Sequence, residues 1–191
     1  EAEGRRTVAL VVRHREELSA ADSDALVGFA KEHAVEVYLQ PAGNDSVARL
    51  WPQAAEDRLC YFLPDFDLEL AFHPMDFTQV NAGINRKIVS RAIDLLDLNK
   101  QDSVLDLFCG LGNFTLAAAT RAGSVVGVEG SQEMVERGGE NALKNGLENT
   151  RFYAANLAKS FADEAWSRDS YSKVLLDPPR SGALEIIKEV A

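Results

Sequence analysis

The sequence predicts an α/β protein: a parallel, doubly wound sheet over residues 77–191, preceded by a small α+β domain over residues 1–76. Three observations carry that prediction. From Val104 onward, short runs rich in β-branched residues alternate with segments of helical spacing, and such alternation implies right-handed crossovers between parallel strands. Near Asn81 the pattern changes from short strands to a longer amphipathic helix, which marks a boundary. Between the first strand of the later region and its first helix lies a turn containing Gly110 and Gly112, at the place where open α/β sheets bind ligands.

The elements follow in order. Thr7 to Val12 reads as a strand, ended by the charged stretch Arg13 to Glu17. Ser19 or Asp22 then caps a helix whose apolar side is Leu26, Val27, Phe29 and Ala30, and which runs to His33. Val35 to Leu39 alternates as a second strand and stops at Pro41 to Asp45. Val47 to Trp51, Leu59 to Leu63 and Phe66 to Phe72 are further short strands, separated by Pro52 and Pro64, neither of which suits a central strand.

Beyond the boundary, Ile84, Ile88, Val89, Ala92, Ile93, Leu95 and Leu96 fall at helical spacing between Asn81 and Leu98, with Asn81 as the cap. There follow a strand Val104 to Cys109, a helix Asn113 to Arg121, a strand Ser124 to Glu129 and a helix Ser131 to Asn145. Next come a strand Thr150 to Ala155, a helix Ala158 to Ser167, a strand Lys173 to Asp177 and a helix from Ala183. Four strands are few for such a sheet, and the expectation is a C-terminally incomplete one.

Composition narrows the function classes. With 46% hydrophobic and 26% charged residues in 191, the chain has the apolar content of a globular protein and not of a disordered or collagenous one. Two cysteines, Cys60 and Cys109, form neither a disulfide framework nor a metal set, and His14, His33 and His73 have no metal-spaced partners. No metal site is expected. The N-terminal residues lack the order of a signal peptide and no run is apolar enough to span a bilayer, so the expectation is a cytoplasmic protein without a membrane partner. A net charge of −10 disfavours nucleic-acid binding through a uniform positive field, though it leaves room for a local basic patch.

The chemistry concentrates at strand ends. The glycines of the turn allow backbone to approach a ligand closely. Glu129 comes seventeen residues after Gly112, at the tip of the next strand, placed to accept hydrogen bonds from both hydroxyls of a ribose. That arrangement suits a dinucleotide or S-adenosylmethionine. Thr115 fills the position where a dinucleotide fingerprint has Gly or Ala, and Asp106 supplies a carboxylate that suits a sulfonium and an amino group but would repel a pyrophosphate. The loop therefore favours the methyl donor. Phe108 and Asn113 flank the glycines and offer apolar and polar contacts, although Phe108 equally reads as core packing. Asn156 either bonds a purine edge or caps the segment after it. After the fourth strand, Pro178 and Pro179 hold Asp177 and Arg180 in a stiff loop.

Phe77 to Asn81 (FTQVN), Asp106 to Phe114 (DLFCGLGNF) and Asp177 to Gly182 (DPPRSG) together resemble the RNA (uracil-5-)-methyltransferases, most closely the branch acting on bacterial 23S ribosomal RNA. Val126 to Gly130 and Leu143 to Gly146 strengthen the likeness. The resemblance implies a class I methyltransferase fold, Rossmann-like, and the cofactor S-adenosyl-L-methionine held by Gln79, Phe108, Asn113, Glu129, Asn156 and Asp177. It also implies a mechanism in which a cysteine adds to C6 of uracil, C5 takes the methyl group, and a base removes the C5 proton.

Neither Cys60 nor Cys109 matches the family's nucleophile motif, Ser-Cys-Asn-Pro, which with the general base is expected after Ala191. The iron–sulfur cluster of the 23S branch needs four thiolates, which this chain does not supply. The reading is thus an internal piece of an enzyme, an RNA-contacting domain and the N-terminal part of a methyltransferase domain, inactive by itself. A transfer RNA enzyme of the same family and a non-catalytic nucleotide- or RNA-binding module are the alternatives; a nicotinamide-dependent dehydrogenase is disfavoured by Thr115.

Overall fold

The computed structural model describes residues 7–53, 58–180 and 182–190; the N-terminal six residues read above for a signal peptide, and Ser181 of the proline loop, lie outside these. Residues up to Cys60 together with Phe72–Asp76 form one compact unit, and Tyr61–Ala71 together with the residues from Phe77 onward form a second.

The smaller unit is a three-stranded sheet of β1 (Ala9–Arg13), β2 (Glu36–Gln40) and β3 (Ala48–Trp51), in that order, with β2 parallel to β1 and antiparallel to β3. Helix α1 (Ala20–His33) packs on β2 and β3. Ser19 is its cap: the Ser19 hydroxyl accepts the Asp22 N–H at 3.2 Å while the Asp22 carboxylate accepts the Ser19 N–H at 3.0 Å, a reciprocal box that satisfies two orphan donors. Asp22, the other candidate cap, occupies the third helical position. Central β2 buries Val37 and Tyr38 completely.

In the larger unit, β4 (Leu59–Leu63), whose residues from Tyr61 belong here, and β5 (Leu68–Phe72) form a two-stranded ribbon around the turn Pro64–Phe66. Helix α2 (Ala82–Leu96) follows, capped by Asn81, whose side chain accepts the Ile84 N–H at 3.0 Å. Its buried stripe is Asn85, Val89 and Ile93, whereas Ile84, Ile88 and Leu95 are about half exposed or more. The apolar spacing located the helix, but one polar residue takes a place in the buried row.

A four-stranded parallel sheet then runs in the order β8-β7-β6-β9, from β6 (Ser103–Leu107), β7 (Ser124–Glu129), β8 (Thr150–Ala154) and β9 (Lys173–Leu176). Strand alternation sends Leu105, Leu107, Val126 and Val128 to one face, where Phe161, Trp166 and Ile186 of the C-terminal segments cover them. Asp106, Gly127 and Phe152 turn to the other, toward α3 (Asn113–Ala119) and α4 (Gln132–Lys144). This is the parallel, doubly wound α/β architecture that the sequence predicts, and α5 (Leu184–Val190) is its last described element.

One expected helix is absent. Residues 158–167 form turns and a short 3-10 helix at Ala165–Arg168. Phe161 and Trp166 are five residues apart, which no single helix face accommodates, and both bury on the sheet with ring centroids 4.9 Å apart. Ser167 hydrogen-bonds the carbonyls of Ala162 and Glu164, competing with a regular ladder.

Candidate cofactor site

The chain runs from β6 through β7 to β8 on one side and returns to β9 on the other side of β6. The crevice beyond the carboxyl ends of β6 and β9 is therefore the topological switch point, where ligands of such sheets bind. The loop after Leu107 and the loop after Leu176 meet there, the Asp177 N–H approaching the Leu107 carbonyl at 3.5 Å.

The first loop is held by backbone. Phe108 and Cys109 both donate to the Val128 carbonyl, at 2.9 and 3.1 Å. Phe108 takes φ 66°, which costs a bulky side chain energy and marks a conformation imposed by its surroundings. Gly110 and Gly112 adopt φ 55° and 97°. At Gly112 a side chain is excluded twice, by that dihedral and by Leu116 and Phe152, which would stand 3.1 and 3.3 Å from an added Cβ.

Two carboxylates face this loop. Glu129 closes β7, and its oxygens accept the N–H groups of Gly110 at 3.1 Å, Gly130 at 2.7 Å and Ser131 at 3.3 Å. Oε2, which accepts only the Gly110 N–H, retains acceptor capacity for a ligand hydroxyl, whereas Oε1 already accepts two N–H groups. Asp106 is buried on β6, where one oxygen accepts the Thr115 hydroxyl at 2.6 Å and the other, Oδ1, has no partner among the described residues. Burial, reinforced by the nearby charges of Asp177 and Glu129 and opposed by Thr115, pushes its pKa up to about 7. A buried carboxylate oxygen lacking a donor beside two other acids fits a cationic ligand and disfavours an anionic one.

Asn156, exposed beyond β8, uses its side-chain oxygen to accept the Ala158 N–H at 3.0 Å, so it caps a turn while its amide nitrogen stays available. Asp177 is exposed at the start of the proline loop. Gln79 is exposed in the segment that leads to the cap of α2.

Asn113 is differently engaged. Its side-chain oxygen accepts the Tyr61 hydroxyl at 2.9 Å and the Asn85 amide at 3.1 Å, and its nitrogen donates to Asn85 Oδ1 at 3.0 Å. The pair ties the glycine loop to α2 and to the ribbon. Tyr61 and Asn85 thus belong to the site's support although sequence reading passed over them, as it did the hydroxyl of Thr115. The signal for Asn85 was a polar residue in register with Val89 and Ile93; nothing local marked Tyr61. Cys109 lies under the loop, buried, and burial beside Asp106 and Glu129 drives its thiol pKa upward, away from the reactive thiolate.

Comparison with known proteins agrees with this geometry. A family model described as a methyltransferase domain matches residues 98–188. A protein of Alcanivorax borkumensis named 23S rRNA (uracil(1939)-C(5))-methyltransferase RlmD is 56% identical over 187 residues, covering 98% of this chain and 42% of that protein. The Xanthomonas oryzae protein of the same name is 52% identical over 183 residues, covering 96% of this chain and 41% of its own length. Among solved structures, the Pyrococcus abyssi tRNA (uracil-54, C5)-methyltransferase in complex with S-adenosyl-L-homocysteine shares the fold, with TM-score 0.70 at 19% identity over 96% of this chain and 43% of that one. The chain spans about two fifths of the length of the curated relatives it matches. Over almost its whole length the chain is thus similar to part of the proteins named 23S rRNA (uracil(1939)-C(5))-methyltransferase, with a methyltransferase-domain match over residues 98–188.

Proposed function

We propose that the whole protein methylates C5 of uracil in 23S ribosomal RNA, in the cytoplasm, and that residues 77–191 carry much of its S-adenosylmethionine site while residues 1–76 contact RNA. The carrying observation is the 56% identity, over 98% of the chain, to a protein named for that reaction. The switch-point crevice supports the cofactor: its unsatisfied Asp106 Oδ1 and its paired acids suit a positively charged ligand with ribose hydroxyls. When bound, S-adenosylmethionine supplies the methyl group. Glu129 accepts one ribose hydroxyl at Oε2 without releasing a backbone donor and a second at Oε1 in exchange for the longer Ser131 contact, and Asn156 turns its amide nitrogen to the purine edge. Phe108 lends an apolar surface, Asp106 balances positive charge, and Gln79 and Asp177 border the crevice. Asn113 acts by fixing the loop to Tyr61 and Asn85.

The reaction on uracil follows the covalent route. A cysteine thiolate adds to C6, the resulting electron-rich C5 takes the methyl group, and a base removes the C5 proton as the cysteine leaves. Cys109 is buried with a raised pKa, so it is a poor thiolate source. No group of metal-ligating residues occurs among the described residues, and Cys60 and Cys109 are too few for the iron–sulfur cluster proposed for the whole protein. No described helix is long and apolar enough to cross a membrane.

The test is radiolabelled methyl transfer to 23S ribosomal RNA and, in parallel, to transfer RNA. The full-length protein is expected to label the ribosomal substrate alone. The 191-residue chain is expected to bind S-adenosylhomocysteine in preference to NAD yet to transfer nothing. Transfer by the short chain that vanishes in Cys109→Ala would overturn this view of the nucleophile.

A further inference from the structure

The smaller unit holds a cavity of about 420 Å³, open to solvent, whose walls include Tyr38, Val47, Arg49, Gln53, Arg58 and His73. Arg49 lies on β3 opposite Tyr38 of β2, and its side chain is only 4% exposed. One end of its guanidinium is occupied: Nη2 pairs with Glu36 at 3.3 Å, and Nε donates to the Tyr38 hydroxyl at 3.0 Å. The other nitrogen, Nη1, is buried with no acceptor among the described residues. A buried charged donor left without an acceptor is uncommon in folded proteins and calls for a reason.

The neighbouring groups share its polarity. Glu36 offsets the charge of Arg49, but Arg58 adds a second guanidinium to the same wall. His73 Nδ1 accepts the Met75 N–H at 3.3 Å, which leaves the ring proton on Nε2 and makes that nitrogen a donor. The half-buried His73 ring meets the buried Tyr38 ring edge to face, with centroids 6.3 Å apart, so His73 supplies the aromatic surface beside the donors. Two guanidinium groups beside an imidazole ring suit a ligand that combines clustered acceptor oxygens with a planar base.

We propose that this cavity binds one phosphorylated nucleotide of an RNA strand, with phosphate oxygens on Arg49 and Arg58 and the base against the half-buried His73 ring. The proposal rests on the RNA-modifying function given above and names the contact by which a chain of net charge −10 attracts a polyanion.

The 191-residue chain is titrated calorimetrically with 5′-phosphorylated tetrauridylate, with inorganic phosphate and with S-adenosylhomocysteine. Arg58→Gln and Arg49→Lys are expected to weaken tetrauridylate binding about tenfold, as loss of a charged hydrogen bond does, and to leave S-adenosylhomocysteine binding unchanged. The wild-type affinity is expected to fall with salt at a logarithmic slope of about −0.7 for each phosphate engaged. Arg58→Gln keeps the test decisive if Arg49→Lys disturbs the fold. Tetrauridylate binding that is unaltered in Arg58→Gln, or absent from a wild-type chain that binds S-adenosylhomocysteine, overturns the cavity assignment and leaves the methyltransferase function standing. Inorganic phosphate binding as tightly as tetrauridylate also overturns it, since the site would then recognise an anion and not RNA. Failure of S-adenosylhomocysteine alone to bind counts against the function and not against the cavity.

Discussion

Asp106 makes the fold sensitive to pH. Its carboxyl is raised from an ordinary 3.8 to about 7, so the native state holds its proton over a range in which the unfolded chain has lost it. The penalty is absent below pH 4, grows as pH rises, and is complete above 7, where it reaches about 4 kcal/mol at most. Asp106→Asn is therefore expected to be more stable than the wild type at pH 8, with the difference disappearing near pH 4; urea midpoints at both pH values check this. A cation bound beside Asp106 reverses the preference, and S-adenosylmethionine binding at pH 6 should release a proton, read from calorimetry in buffers of different ionisation enthalpy. Glu129→Ala is expected to weaken S-adenosylhomocysteine binding by about 1–3 kcal/mol, because the ribose hydroxyls would lose their acceptor. Unchanged affinity would remove Glu129 from the site. Glu129 was legible because its spacing from Gly112 and its place at a strand end are local facts. The engagement of Asn113 was not, since Tyr61 lies 52 residues away in sequence and only the folded chain brings the two together.

At the level of elements, the repeated strand and helix pattern was read almost to the residue, and the exceptions have one cause. Periodicity locates an apolar face, while tertiary packing decides whether a helix is the way to bury it. Phe161 and Trp166 bury better from turns, and α2 turns Asn85 inward to meet Asn113. Close helix–sheet contact is made by α4 through Gly138, where an added Cβ would stand 2.5 Å from the Phe152 ring. Gly139 beside it has nothing within 4 Å. Gly139→Ala is accordingly expected to stabilise the protein by up to about 1 kcal/mol through helix propensity. Gly138→Ala should destabilise it by about 1–3 kcal/mol through overpacking, and thermal melts of the two variants should move in opposite directions.

At the scale of the whole molecule, the chain passes between the two compact units three times, at residues 60/61, 71/72 and 76/77. A piece beginning at Phe77 would look like a domain in sequence but would lack the ribbon that the larger unit includes. Asn141, 1% exposed, exchanges hydrogen bonds of 2.8 and 3.1 Å with the Ala71 backbone, and Asn145 holds the Glu69 N–H and carbonyl at 3.0 and 2.9 Å. Removing residues 1–76 is expected to lower the melting temperature of the remainder more than removing residues 1–58, although the second cut leaves a longer piece of the smaller unit without its sheet. The same arrangement dictates an order of events during synthesis. Residues 61–71 leave the ribosome some 70 residues before the asparagines that complete their hydrogen bonds. At roughly 5–20 residues per second, the Glu69 and Ala71 backbone groups spend several seconds without these partners, so the outer edge of the ribbon is a segment that a nascent-chain chaperone can hold.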